Sequence, residues 1–221
     1  ICLAGVFVSG VALAAPVDPA KVPEPKRSKP GLYLEAVDVP AFIQANGGAE
    51  KVLFLDLRTR AEAMFVGMAS PVDALVPLVE LQEIMSEWDA KRSAYKLDPV
   101  QDFVPEVGRR LQAKGLTKAD TVVLICRSGD RSARAATRLA EEGYAKVYSV
   151  VDGFEGDMSA EGRRNVNGWD LPEELHAGLA ERVRASLLTP GPVASRVHAL
   201  NRSESPEHRG LVLSATVINP G

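Results

Sequence analysis

Cysteine is scarce in this chain: its 221 residues hold two, Cys2 and Cys126, too few for the disulfide framework of a small secreted scaffold. The three histidines, His176, His198 and His208, are scattered and unaccompanied by paired cysteines, so the spacings of a structural zinc site are missing. No metal and no cofactor is expected. Nor is there an apolar run of the roughly 20 residues that span a bilayer. Basic charge is not in excess either. The formal net charge is −3, and residues 31 to 180 carry 24 acidic against 17 basic groups, which argues against nucleic acid as a partner. What is present, 46% hydrophobic and 25% charged residues, suits one ordinary soluble core with flanking segments.

The flanks read differently from the middle. Residues 1 to 15 are uncharged and finish in Ala12-Leu13-Ala14, a small-x-small pattern that a signal peptidase could cut before Ala15. They are read as the remnant of a signal peptide, with export to the periplasm and no membrane association after cleavage; an uncleaved anchor is the alternative. Cleavage would leave Cys126 as the sole thiol. Residues 16 to 30 hold five prolines and the basic cluster Lys26, Arg27 and Lys29. They are expected to form an extended, solvated linker that packs no core. A folded domain is expected over 31 to 175. Residues 176 to 221 mix prolines with short apolar pieces and are expected to be a poorly ordered tail.

Three short runs in the middle are apolar without alternation: Val52 to Leu55, Thr121 to Ile125 and Val147 to Val151. Such runs suit strands covered on both faces of a parallel sheet. Helical patterns separate them. Val39 to Ala45 stops at Asn46-Gly47-Gly48, Phe103 to Lys114 stops at Gly115, and Ser132 to Glu142 stops at Gly143. Strands alternating with helices predict an α/β fold with right-handed crossovers. Residues 67 to 99 fit this scheme least well; Leu75 to Trp88 contains helix-compatible pieces, and Trp88 to Lys96 has no clear assignment.

Chemistry concentrates at one place. The strand Thr121 to Ile125 runs into Cys126, then the polar loop Arg127-Ser128-Gly129-Asp130-Arg131, then a helix opening at Ser132. In open parallel sheets ligands gather at the carboxyl ends of strands. Loop amides and the free N–H groups of a helix start make an anion site there. A thiol in such a setting ionises readily, with a pKa brought from ~8.5 into the range of roughly 3.5–7.5. Gly129 permits the turn that aims amides inward. A reactive Cys126 is therefore expected, and the reading requires a thiol open to solvent. The competing reading is an inert core cysteine at a strand end. No histidine lies near it in sequence, so a Cys-His protease pair has no support.

These residues resemble the rhodanese family of thiosulfate:cyanide sulfurtransferase-like domains. The resemblance rests on FLDLRTRAEAMFVGM at 54 to 68, CRSGDRSARAATRLAEEGYAKVYSVVDGFEGD at 126 to 157, GRRNVNGW at 162 to 169, and the helix before strand 121 to 125. It covers about residues 33 to 170. It implies a central parallel sheet with helices on both faces, a catalytic cysteine heading a six-residue loop, and a persulfide intermediate. Carried over, Cys126 matches the nucleophile, and Arg127 the arginine that contacts a substrate sulfonate. Ser128, Gly129, Asp130 and Arg131, with Ser132 at the helix start, complete the substrate-binding loop. Asp56 and Arg58 fall on the LDxR motif, with Glu62 near its usual acidic position, and are read as structural.

The implied reaction moves sulfane sulfur from thiosulfate, or a related small-molecule donor, to cyanide or a thiol acceptor. Two other readings share the sequence. One is a carrier that loads sulfur and delivers it to a protein acceptor. The other is a cysteine-dependent phosphatase or arsenate reductase of the same fold, disfavoured because four residues separate Cys126 from Arg131 where those relatives have five.

Overall fold

The computed structural model describes residues 17 to 170, apart from 83, 85–86 and 91–93. The expected signal segment 1 to 15 and tail 176 to 221 lie outside the described residues. Five strands form one parallel sheet in the order β1-β9-β8-β2-β3. Its members are β1 (Tyr33–Leu34), β2 (Val52–Asp56), β3 (Ala74–Leu75), β8 (Thr121–Ile125) and β9 (Lys146–Val150). The three central strands are those predicted from uninterrupted apolar runs. The two edge strands, each two residues long, are too short to leave such a signature.

Side-chain alternation along β2 and β8 sorts the core into two layers. Leu53, Leu55, Val122 and Leu124 pack against α3 (Phe103–Ala113) and α4 (Asp130–Glu141). Val52, Phe54, Val123 and Ile125 pack on the other face against α1 (Val39–Ala45). Helix α3 buries Phe103, Val107 and Leu111, one residue per turn. Each large side chain removed from water here contributes ~1.5–3 kcal/mol. The fold is thus α/β, with a parallel sheet and helices on both faces.

Three expectations are corrected. Helix α4 begins at Asp130, two residues before the expected Ser132, because Gly129 at φ 95° turns the chain into the helix early. The helix-compatible stretch Leu75 to Trp88 supplies strands instead. β4 (Val79–Leu81) pairs antiparallel with β7 (Leu97–Pro99), and β5 (Trp88–Asp89) with β6 (Ala94–Tyr95). Cross-strand pairing here overrides local helix propensity.

The third correction concerns residues 17 to 30. They lie on the domain, not in solvent: Val22 is buried, and short 3-10 turns form at Pro19–Lys21 and Glu24–Lys26. Lys26 Nζ lies 2.5 Å from an Asp157 oxygen, the Arg27 side chain donates to the Val22 carbonyl, and the Lys29 amide donates to Thr137 Oγ1 of α4. Prolines that fix a turn shape before folding lower the entropy lost on docking.

Candidate active site

Strand β8 ends at Ile125, and Cys126 follows at the carboxyl edge of the sheet beside α4. Two backbone amides are aimed at its sulfur: Gly129 N–H at 3.1 Å and Ser132 N–H at 3.4 Å. The Ser132 hydroxyl lies 3.5 Å from Sγ and donates to the Gly129 carbonyl at 3.0 Å. Ser149 of β9, buried like Ser132, donates to the Ser132 hydroxyl at 2.9 Å. Sequence reasoning missed Ser149; a serine inside an otherwise bulky, apolar strand was the available signal, since buried polar groups need partners.

Gly129 is indispensable to this geometry. Its φ of 95° is one that side chains rarely adopt, and a Cβ there would collide with the Val151 carbonyl. The loop is also gripped from below. Phe154 N–H donates to the Cys126 carbonyl at 2.8 Å and Glu155 N–H to the Arg127 carbonyl at 3.0 Å. A Cβ on Gly153 would meet both carbonyls at 2.6 Å, so the VDGFEGD segment serves as a backbone cradle for the loop.

The two loop arginines part company. Arg127 is exposed and stays available at the surface of the site. Arg131 is 7% exposed at its side chain and is held by Glu62 of α2 (Arg60–Val66) in a bidentate pair, 2.8 and 2.5 Å. Arg131, expected among the substrate-binding residues, thus presents its guanidinium to a carboxylate of the protein itself. Glu62 also closes a capping box with Thr59. Burial pushes the Glu62 carboxyl up, but hydrogen bonds and charge from Arg131, with those from Thr59, outweigh it and set the pKa at about 2. Of the remaining loop residues, Ser128 is half-buried, and the Asp130 carboxylate lies 3.6 Å from Arg134 one turn along α4.

The LDxR residues form the structural pair anticipated for them. Asp56 and Arg58, both fully buried, meet at 2.7 Å, and Arg58 further donates to the Gly67 carbonyl at 2.5 Å. The Arg58 guanidinium lies 3.8 Å from the centre of the Phe154 ring, which ties this motif to the cradle. Asp152 accepts from Ala36 N–H at 2.8 Å and Gly168 N–H at 3.0 Å. Burial lifts its carboxyl to a pKa of about 6 against those two hydrogen bonds. It thereby joins the start of the domain to the VNGW segment.

One expectation fails outright. Cys126 has no solvent-exposed surface, whereas a reactive thiol was expected to be open. The sulfur sits between the loop amides and the apolar layer that contains Leu55, Leu124 and Ala135. Among the described residues, no cluster of His, Cys, Asp and Glu could hold a metal ion, and no helix is long and apolar enough to cross a membrane.

A family profile described as a rhodanese-like domain matches residues 40 to 160. The chain belongs to this family. Sulfurtransferase-type chemistry is the family's context, without a donor or acceptor being fixed by membership. An uncharacterized protein, RP600, of Rickettsia prowazekii is 43% identical over 51 residues, 23% of this chain and 42% of the relative; the chain thus spans less than half the length of that curated relative. The crystal structure of Rv0390 from M. tuberculosis is 26% identical, with a TM-score of 0.44 over 63% of this chain and 94% of that one. For this rhodanese-like domain, the site at Cys126 must be read from its own geometry.

Proposed function

We propose that this rhodanese-like domain is a sulfurtransferase that carries sulfane sulfur on Cys126, taking it from thiosulfate. The single observation that supports the reading most is the pair of amides, from Gly129 and Ser132, directed at Sγ at the start of a twelve-residue helix. N–H groups and a helix start stabilise negative charge at the reacting sulfur without any proton donor. The thiolate attacks the outer sulfur of thiosulfate, the S–S bond of the donor breaks, and its electron pair leaves with sulfite. Cyanide or a thiolate then attacks the outer sulfur of the persulfide and returns the pair to Cys126. Arg127, exposed beside the loop, is the candidate for the sulfonate oxygens.

Because Cys126 is covered, the reaction includes an opening step before a donor reaches the sulfur. Oxyanion hydrolysis is disfavoured by the same geometry. Arg131, the cation that would clasp a phosphoryl group at the end of the loop, is engaged by Glu62. We also propose periplasmic residence, on the uncharged segment 1 to 15 and its small-x-small finish.

The test is mass measurement after incubation with thiosulfate. A gain of one sulfur on Cys126 is expected, absent in Cys126→Ala, together with thiocyanate production that the same substitution abolishes. Undiminished turnover by Cys126→Ala removes this thiol from the mechanism.

A further inference from the structure

After the cradle the chain turns back and brings another arginine to the loop. Met158 bridges Arg164 in an antiparallel pair, and Ser159 N–H donates to the Arg163 carbonyl at 2.7 Å. Arg164 donates to the Gly156 carbonyl, and its Nε lies 3.8 Å from a carboxylate oxygen of Glu155. Glu155 is fastened to the loop itself through its N–H bond to the Arg127 carbonyl. Its carboxyl therefore sits among the charges of the Cys126 loop. Burial pushes that carboxyl up, Arg127 pulls it down, Glu62 pushes it up, and Arg164 and Arg58 pull it down.

Two of these neighbours are already neutralised, Arg58 by Asp56 and Glu62 by Arg131. What remains is Arg127, Arg164 and Glu155: two cations and one carboxylate, a net charge of +1. Glu155 does little for the fold. Its side chain is 20% exposed, and no hydrogen bond from the described residues reaches its carboxylate. Among those residues, the one cation within 4 Å of it stands at 3.8 Å. A carboxylate partly buried at that distance recovers little of its desolvation cost. Glutamine would fill the same space without that cost. What the carboxylate does supply is negative charge where an anion approaching Cys126 meets Arg127.

We propose that Glu155 is a specificity-determining residue for entry to Cys126. Set between Arg127 and Arg164, it lowers the charge at the loop from +2 to +1. It thereby favours neutral or singly charged sulfur donors over more highly charged ones. This deepens the sulfurtransferase reading above and rests on it for its substrates.

The test uses three thiosulfonate reagents that differ in the charge of the transferred group: 2-sulfonatoethyl, methyl and 2-(trimethylammonio)ethyl methanethiosulfonate. In each, the Cys126 thiolate attacks the sulfenyl sulfur, the S–S bond breaks, and methanesulfinate leaves with its electron pair. The movement that uncovers Cys126 is common to all three and cancels in their ratios. A unit charge roughly 7 Å from a reacting ion changes its rate about threefold even in bulk water, in opposite senses for the two signs. Rates are read on the full chain at neutral pH, by mass on the peptide that carries Cys126. Glu155→Gln is expected to raise the anionic-to-cationic ratio at least about fivefold, with the neutral reagent within about twofold of wild type. Arg164→Gln should lower the ratio, and Glu155→Asp, which keeps the charge, should leave it near the wild-type value. An unmoved ratio in Glu155→Gln or Arg164→Gln, one factor shared by all three reagents, or equal shifts in Glu155→Asp and Glu155→Gln would each overturn the proposal. Thiosulfate loading of Cys126 in the same samples keeps the two readings apart. A shifted ratio without persulfide sinks the sulfur chemistry alone, and normal loading with an unmoved ratio sinks the role of Glu155 alone.

Discussion

Glu62 links α2 to the loop that carries Cys126, and its removal is the most informative perturbation of the site. The Glu62–Arg131 pair is bidentate, with side chains 19% and 7% exposed. Breaking a buried pair from one side leaves an uncompensated charge and costs ~3–5 kcal/mol. Partial solvent access at Glu62 reduces that to about 2–3 kcal/mol. Loss of the capping box with Thr59 adds about 1 kcal/mol. Glu62→Ala is therefore expected to cost ~3–4 kcal/mol by the two contributions together. Glu62→Gln, which keeps a side-chain oxygen for the Thr59 amide, should cost about 2 kcal/mol.

The sign with pH follows from a carboxyl whose folded pKa, about 2, is depressed below its unfolded value. The pair's contribution is complete above the unfolded pKa and is lost as pH falls toward 2. Urea unfolding at pH 7 and pH 3 measures both effects. The gap between wild type and Glu62→Gln should narrow at the lower pH, and persulfide loading by the variant should slow because Arg131 no longer anchors the loop. A Glu62→Gln protein within about 0.5 kcal/mol of wild type at pH 7, the scatter of ordinary surface changes, would refute the reasoning.

Gly129→Ala combines a strained φ with a collision against the Val151 carbonyl. It should cost at least ~2 kcal/mol in urea unfolding and abolish persulfide formation, because the Gly129 amide is displaced from Sγ. Asp152 titrates in the opposite sense to Glu62. Its folded pKa, about 6, is above the unfolded value, so the folded state holds an extra proton between about pH 4 and 6, and stability falls as pH rises through that window, on the order of 3 kcal/mol in all. Asp152→Asn should flatten that slope in unfolding measured from pH 4 to 7; an unchanged slope refutes the assignment. Val22→Ala, in the docked segment that precedes β1, should lower stability by ~1–2 kcal/mol. A thermal midpoint equal to wild type would return residues 17 to 30 to the status of a solvated linker.

The central sheet and the loop at Cys126 are legible in the sequence because their signals are local. An apolar run without alternation reports burial on both faces. A cysteine at the end of such a run, followed by a glycine-containing polar loop and a helix, reports where amides converge. Other features depend on groups distant in sequence. Arg131 reads as a free cation until Glu62, 69 positions away, is found against it. Residues 17 to 30 look like solvated linker until Lys26 meets Asp157. Val79 to Leu81 and Trp88 to Asp89 fall in or beside a stretch of helix-compatible side chains, yet pairing with Leu97 to Pro99 and Ala94 to Tyr95 makes them strands. Whether the Cys126 thiol faces solvent is of the same kind. The local sequence supplies the amides that can hold charge on that sulfur, but only packing among strands β2, β8 and β9 and helix α4 decides whether anything can reach it, because exposure belongs to the neighbours and not to the residue.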